Sequence, residues 1–262
     1  MINLVQITDL HLREDPKAWL NWGHPVSHCS PWDNLDAVLK DIQQLAIQPD
    51  LLVISGDLAE EETLKTYKQL HQRLLTFSED KGLPIVCLPG NHDEVSLMHK
   101  VFTTKPIDMP NQLRLKSWQL LFLDTTYNKQ QAGYLHNKQL IALEQQLQEQ
   151  PRQPTLIFMH HHPIPVNSTW MDRMMLQDNR PFLDLIEQHP QIKAIAHGHI
   201  HQGFEGQYKH IAVFGTASTC VQFKTQHAHA VFDDKAPAYR CLQLHDNGTI
   251  QSQLHYVKDY QR

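Results

Sequence analysis

The chain has 262 residues, a net charge of −5 and a pI near 6.4. That length can fill one large α/β or sandwich domain with a sizeable core, and the charge excludes an overall basic field that would gather nucleic acid. The compositional outlier is histidine, with 19 copies, which points to metal or acid–base chemistry.

The amino-terminal run "MINLVQITDLHL" reads as a strand and lacks the basic start and long apolar core of a secretion signal. A loop rich in Trp, His and Pro follows, from about Asp15 to Pro31. "WDNLDAVLKDIQQLAI" places Leu35, Val38, Leu39, Ile42 and Leu45 at helical spacing. "DLLVIS" is a second strand, "EETLKTYKQLHQRLLTF" a helix and "LPIVCLP" a third strand, an order that predicts a sheet with crossover helices. Further on, the strands "WQLLFLDT" and "PTLIFMH" flank the helix "NKQLIALEQQLQEQ", and the helix "PFLDLIEQH" precedes the strand "IKAIAH". Beyond Tyr208 helical signal fades, and "HIAVFG", "STCVQF", "HAVFDD", "AYRCLQLH" and "TIQSQLHYV" read as successive strands. The pattern predicts two sheets with helices outside, in a single domain over 1–262 without internal repeats.

No apolar run reaches the length of a membrane span. Cys29, Cys87, Cys220 and Cys241 lie far apart without zinc-ribbon spacing and are expected to be reduced thiols of a cytoplasmic protein.

Asp, Asn and His recur where the apolar strands end. "QITDLH" supplies Asp9 and His11, "ISGDLAE" Asp57, and "LPGNHDE" Asn91, His92 and Asp93. "FMHHHP" supplies His160, His161 and His162, and "AHGHIH" His197, His199 and His201. In open α/β sheets the loops at the carboxyl ends of strands build the site. Residues two apart on an extended segment point the same way, so Asp9 with His11, and His199 with His201, are expected to face one centre. Gly56, Gly90 and Gly198 permit the tight turns such a cluster needs. Each motif alone has an ordinary reading as a capped turn or a solvated loop. The ordered set, each member after an apolar strand, is far more specific.

Asp-x-His, Gly-Asp, Gly-Asn-His-Asp, His-His-Pro and Gly-His-x-His, in that order over nearly the whole chain, resemble the calcineurin-like metallophosphoesterases. "HHHPIP", "GHIHQ" and "STCVQFK" further resemble the bacterial class III cyclic nucleotide phosphodiesterases. The resemblance implies a four-layer α/β/β/α sandwich of two mixed sheets flanked by helices. It also implies hydrolysis of 3′,5′-cyclic nucleotides, cyclic AMP to 5′-AMP, at a binuclear metal centre. One ion would be held by Asp9, His11, Asp57 and His201, the other by Asp57, Asn91, His161 and His199, with Asp57 bridging. His161 is selected because the family ligand usually lies two residues before the proline. His92 would act on the leaving group as general acid, with Asp93 orienting His92 or a ligand. His11, Asn91, His92 and His201 would contact the substrate.

The donor set mixes imidazole, carboxylate and one amide without thiolate, which suits Mn, Fe or Zn over Mg or Ca. Two divalent cations less two aspartates and a bridging hydroxide leave about one positive charge, matched to a singly charged phosphodiester, and such paired ions activate a shared water. Neither "GDLAEE" nor "GNHDEV" carries the arginine with which phosphoprotein phosphatases grip a dianion; Glu60 stands where many relatives have Asp and is a candidate support for His92. Rival expectations are a broader phosphodiesterase acting on 2′,3′-cyclic nucleotides, glycerophosphodiesters or nucleic-acid ends, and a non-catalytic scaffold on the same fold. The acidic pI argues against long nucleic acid. Trp19, Trp22 and His24 in the early loop, and "STCVQFK", are candidate pocket walls.

Overall fold

The computed structural model describes residues 1–79, 82–103, 105–258 and 260. The last two positions of the expected domain therefore lie outside the described residues. In chain order the elements are β1 (Ile2–Ile7), α1 (Pro31–Gln43), β2 (Leu51–Ser55), α2 (Leu64–Glu79), β3 (Ile85–Leu88), α3 (Val95–Val101) and β4 (Ile107–Asp108). Then come β5 (Gln112–Leu115), β6 (Trp118–Leu123), α4 (Asn137–Glu149), β7 (Thr155–Met159), α5 (Thr169–Asp172), α6 (Arg180–Glu187) and β8 (Ile192–His197). The chain closes with β9 (Phe204–Tyr208), β10 (Ile211–Gly215), β11 (Gln222–Phe223), β12 (Phe232–Asp233), β13 (Ala238–Leu244) and β14 (Ile250–Tyr256).

One six-stranded sheet runs β14-β13-β1-β2-β3-β4 and the other β5-β6-β7-β8-β10-β9. The centres are parallel: β1 with β2 with β3, and β6 with β7 with β8 with β10. Antiparallel strands occupy the β14-β13 flank of the first sheet and both edges of the second, while β4 pairs parallel with β3. Both faces of each sheet are covered, which is why the central strands read as unbroken apolar runs. In β2, Leu51 and Val53 pack into the interface between the sheets while Leu52 and Ile54 face the helices. In β7, Leu156 and Phe158 face the opposite sheet and Ile157 and Met159 the outer helices. The result is helix, sheet, sheet, helix, as the alternation of strands and helices predicts.

Helix α1 starts where Ser30 accepts the Asp33 N–H at 3.2 Å, with Pro31 in its first turn, a placement that sacrifices no hydrogen bond. It ends at Gln43, short of the apolar tail Leu45–Ile47. The largest departure from the sequence reading is "STCVQF". Only Gln222 and Phe223 pair as strand; Ser218 to Val221 form a buried turn. Ser218 donates its hydroxyl to the Asp9 carbonyl at 2.8 Å, and the Thr219 N–H reaches the Thr8 carbonyl at 2.8 Å. This segment braces the loop after β1 instead of extending a sheet.

Candidate metal centre

The loops after β1, β2, β3, β7 and β8 meet at one edge of the two sheets. Backbone bonds stitch them together: Asp9 N–H to Gly56 C=O, His11 N–H to Asp57 C=O and Gly198 N–H to His160 C=O, at 2.9, 3.0 and 3.1 Å. The convergence of Asp9 with His11, and of His199 with His201, follows the sequence reading, but its cause differs. None of the four lies on extended strand. Asp9, His11, Asp57, His199 and His201 all have positive φ, between 50° and 69°. Asp and His tolerate this left-handed region better than most residues, yet each instance costs about 1 kcal/mol or more. Packing holds all five there. Gly56 shows how tight the packing is: at φ +99°, a Cβ would sit 2.3 Å from His160 Nδ1.

Two donor groups form. In the first, Asp9, His11 and His201 bring ligand atoms within 4.8 Å of one another, with Asp57 Oδ2 3.9 Å from His11 Nε2. In the second, His160 Nε2 lies 3.3 Å from Asp57 Oδ2 and 3.1 Å from Asn91 Oδ1, with His199 beside it. Asp57 stands between the groups.

The tautomers agree with ligation. His11 donates Nδ1–H to Glu60 Oε2 (2.9 Å), His160 to the Ser55 carbonyl (2.8 Å) and His201 to the Val221 carbonyl (2.6 Å). Each leaves Nε2 bare and directed inward, the arrangement in which an outer partner fixes a metal-binding imidazole. The Nε2 atoms of His11 and His201 face each other at 3.1 Å, which is repulsive unless a proton or a cation sits with them. His199 Nε2 is buried without a hydrogen-bond partner, and such an orphaned atom is costly unless something binds it. The donor set fits a pair of metal ions.

Electrostatics point the same way. Burial pushes the Asp9 and Asp57 carboxyls up, but His201 beside the first and His160 beside the second outweigh it and hold both ionised. Burial, reinforced by the neighbouring histidines, drives His199 well below its ordinary value, so it is neutral. Burial also pulls His160 down, but the Asp57 and Asp9 charges prevail and raise it to about 9. A positive charge between Asp9, Asp57 and His160 is favourable, whether a proton or a metal carries it.

In the histidine triplet, His160 and His161 both bring a ligand atom within 4.8 Å of His199 and of each other, but their surroundings differ. His161 does not meet Asp57 or Asn91. Its Nδ1 accepts from the Thr125 hydroxyl at 2.7 Å and its Nε2–H is directed at the Gln131 carbonyl at 3.2 Å, so both ring nitrogens are engaged. The residue directly after β7 faces the other sheet, and that residue is His160, three before the proline. His162 turns away to Asp172, 3.5 Å distant.

Asp93 acts on the loops of the ligands and not on His92. Its buried carboxylate accepts the N–H groups of Leu58, Ala59 and Gly90 and the Tyr67 hydroxyl at 2.9–3.1 Å. It clamps the loop of Asp57 to the loop of Asn91 and does not touch the His92 ring. The carboxylate beside that ring is Glu60, whose Oε2 is 3.5 Å from His92 Nδ1 and whose Oε1 accepts from Trp22 Nε1 at 3.1 Å. His92 is 30% exposed at the cavity, and its backbone N–H donates to Asp57 Oδ1 at 2.8 Å.

Above these residues opens a cavity of about 230 Å³, floored by His11, Asp57, Asn91, His92, His199 and His201. Its walls include Trp22 and Phe223, as the sequence suggests, and Trp170, Met171, Met174 and Gln131, which carry no sequence signal. Among the described residues no Lys or Arg lines it. Trp19 instead packs on His28 and His24 on Phe232.

A family model for calcineurin-like phosphoesterases matches residues 2–203. The chain belongs to this family of phosphoesterases, whose members use a two-metal centre. Among curated proteins, the 3′,5′-cyclic adenosine monophosphate phosphodiesterase CpdA of Vibrio vulnificus is 34% identical over 97% of this chain and 89% of its own length. The CpdA of Escherichia coli K12 is 31% identical over 98% and 90%, and a 3′,5′-cyclic-nucleotide phosphodiesterase of Nostoc is 31% identical over 98% and 92%. Among solved structures, a dimetal phosphatase from Danio rerio superposes over 98% of this chain and 99% of that chain, with a TM-score of 0.66 and 12% identity. At that identity the likeness is one of fold.

Proposed function

We propose that this chain hydrolyses 3′,5′-cyclic nucleotides, cyclic AMP to 5′-AMP, as a metal-dependent phosphodiesterase. The carrying observation is the pair of donor groups sharing Asp57 at the floor of a cavity without fixed cationic side chains. That floor suits a singly charged diester better than a phosphate dianion. One ion is assigned to Asp9, His11, Asp57 and His201, and the other to Asp57, Asn91, His160 and His199, which replaces His161 in the expected set. The oxygen-and-imidazole donor set favours Mn, Fe or Zn. When bound, such a pair activates water and offsets charge on the phosphoryl oxygens.

The chain's own groups do the rest. Glu60 holds the Nδ1 side of both His11 and His92, and so leaves His92 Nε2 for the cavity, where it delivers a proton to the departing 3′ oxygen. Burial opposes the Glu60 charge, but His11, His92 and the Trp22 N–H outweigh it and set its carboxyl at about 2, so it is anionic whenever His92 is needed. Asp93 keeps Asn91 and Asp57 in register. The small cavity opening on the loop edge takes one small molecule, consistent with a free cyclic nucleotide.

The test is a substrate panel on enzyme freed of metal by chelation and reloaded with Mn, Fe or Zn. Cyclic AMP should be turned over at a kcat/KM at least about tenfold above 2′,3′-cyclic AMP and glycerophosphodiesters, and chelation should abolish turnover. A preference for the 2′,3′ isomer would replace this reading with that of a broader phosphodiesterase. Absence of turnover with any ion would leave a scaffold.

A further inference from the structure

The floor of the cavity is committed to the phosphate, but its wall is not. Trp170 stands at the start of the short helix α5, in a segment that the sequence reading leaves unassigned. It meets Phe223 edge to face, with ring centroids 5.0 Å apart at 82°. Phe223 in turn lies 5.1 Å from the His201 ring and nearly parallel to Trp22, at 6.3 Å and 12°. Trp22, Phe223 and Trp170 thus form a continuous aromatic wall that begins beside His201 of the metal floor.

None of the three rings is fully buried, and all three line the cavity. Met171 beside Trp170 is buried, so the segment has a packing face and a second, cavity face. The wall is also rigidly mounted. Asp172 Oδ1 accepts the Val166 N–H at 2.7 Å and lies 3.5 Å from His162 Nε2, and Ser168 Oγ accepts the Gln226 N–H at 2.9 Å. These contacts tie the Trp170 segment to the end of β7 and to the segment that carries Phe223. The third histidine of the triplet therefore acts on this wall.

We propose that Trp170, seated against Phe223, is the stacking platform for the nucleobase, and that it makes the enzyme select base-bearing diesters over bare ones. The proposal rests on the cyclic-nucleotide reading for its substrate and adds the residue that recognises the base. Flat apolar faces accept any base, so the platform favours purine over pyrimidine by stacking area and does not separate adenine from guanine by hydrogen bonding.

The experiment uses the full chain with Trp170→Leu and Trp170→Phe, and thermal melting to show that both fold. Binding of 5′-AMP and of ribose 5-phosphate is measured by calorimetry. Steady-state kinetics are measured on cyclic AMP and on 1-deoxyribose 3,5-cyclic phosphate, which has no base. Trp170→Leu should weaken 5′-AMP binding, and raise KM for cyclic AMP, by roughly 5- to 150-fold, the range for loss of one base–aromatic stack. Ribose 5-phosphate binding and turnover of the baseless diester should be unchanged, kcat should be nearly constant, and Trp170→Phe should recover most of the loss. Equal weakening of 5′-AMP and ribose 5-phosphate, or no weakening of either, would overturn the platform. If wild-type enzyme fails to cleave any 3′,5′-cyclic nucleotide, the proposed reaction fails. Binding discrimination that Trp170→Leu removes would in that case still establish the platform.

Discussion

His160→Ala and His161→Ala should have sharply different effects on metal content. His160 Nε2 lies 3.3 Å from Asp57 and 3.1 Å from Asn91, with Nδ1 pinned to the Ser55 carbonyl, so it can point nowhere but at the second donor group. A four-ligand site contributes about 10–16 kcal/mol of apparent binding, so one donor carries on the order of 3 kcal/mol, or roughly 100-fold in affinity for one ion. His161 also brings a ring nitrogen within 4.8 Å of those of His160 and His199, but both of its nitrogens are engaged by Thr125 and Gln131. Losing its bonds to Thr125 and Gln131 should cost about 1–2 kcal/mol of stability and at most about tenfold in metal affinity. Each variant is loaded with manganese, passed over a desalting column and assayed for metal per chain by mass spectrometry, with dissociation constants from a spin-resonance titration. His160→Ala should retain close to one ion and His161→Ala close to two. A His161→Ala protein that drops to one ion while His160→Ala keeps two would restore the register two before Pro163 and refute the reasoning from ring-nitrogen partners.

His92→Ala should keep both ions and lower turnover of cyclic AMP about 100- to 10,000-fold. The loss should shrink on a nitrophenyl diester, whose leaving group needs no proton; equal losses on both substrates would reduce His92 to electrostatic support. Glu60→Gln should lower kcat about 10- to 100-fold by releasing His11 and His92 together, and an unchanged pH–rate profile in that variant would show that Glu60 does not act through either ring. Gly198→Ala places a Cβ 2.0 Å from Thr8 Oγ1 and 2.9 Å from Asp9 Oδ2. Overpacking of this kind costs about 1–3 kcal/mol, so the melting temperature should fall by roughly 2–4 °C per kcal/mol, and a melt within about 1 °C of wild type would show that the loop after β8 yields freely.

The layering was legible in the sequence because burial on both sheet faces leaves a strong mark: the cores "LLVI" of "DLLVIS" and "LIFM" of "PTLIFMH" are apolar without alternation, as a strand covered on both faces requires. The five loops were legible because each interrupts such a run with a titratable residue. What was not legible depends on backbone conformation. Asp9 and His11 share a centre through two left-handed residues, not through an extended segment, and no spacing rule distinguishes the two. In the triplet, the choice depends on which histidine ends β7, and a single position of register moves a ring to the other face. Trp170 was invisible because "NSTWMDRMM" has neither clear periodicity nor a motif, and which of its two expected roles Asp93 takes was not legible because most of its partners are backbone amides, which leave no trace in residue types.

The pairing of β1 with both β2 and β13 has a consequence for synthesis. Leu4 lies opposite Leu51 on one side and Leu242 on the other. The strand leading to Asp9 is therefore bordered on one side by a segment translated some 240 residues later, and the Asp9 carboxylate takes its His199 N–H partner from 190 residues downstream. Contacts of such sequence separation form slowly. On the ribosome, β1, β2 and β3 with Asp9, His11, Asp57 and Asn91 emerge as an open half-sheet that lacks three of the assigned histidines. His160, His199 and His201 arrive only with the second sheet. A nascent chain can hold at most a weak, partial site, so tight capture of ions reports that nearly the whole polypeptide has been made and folded, and free metal in the cell meets a complete pocket or almost none.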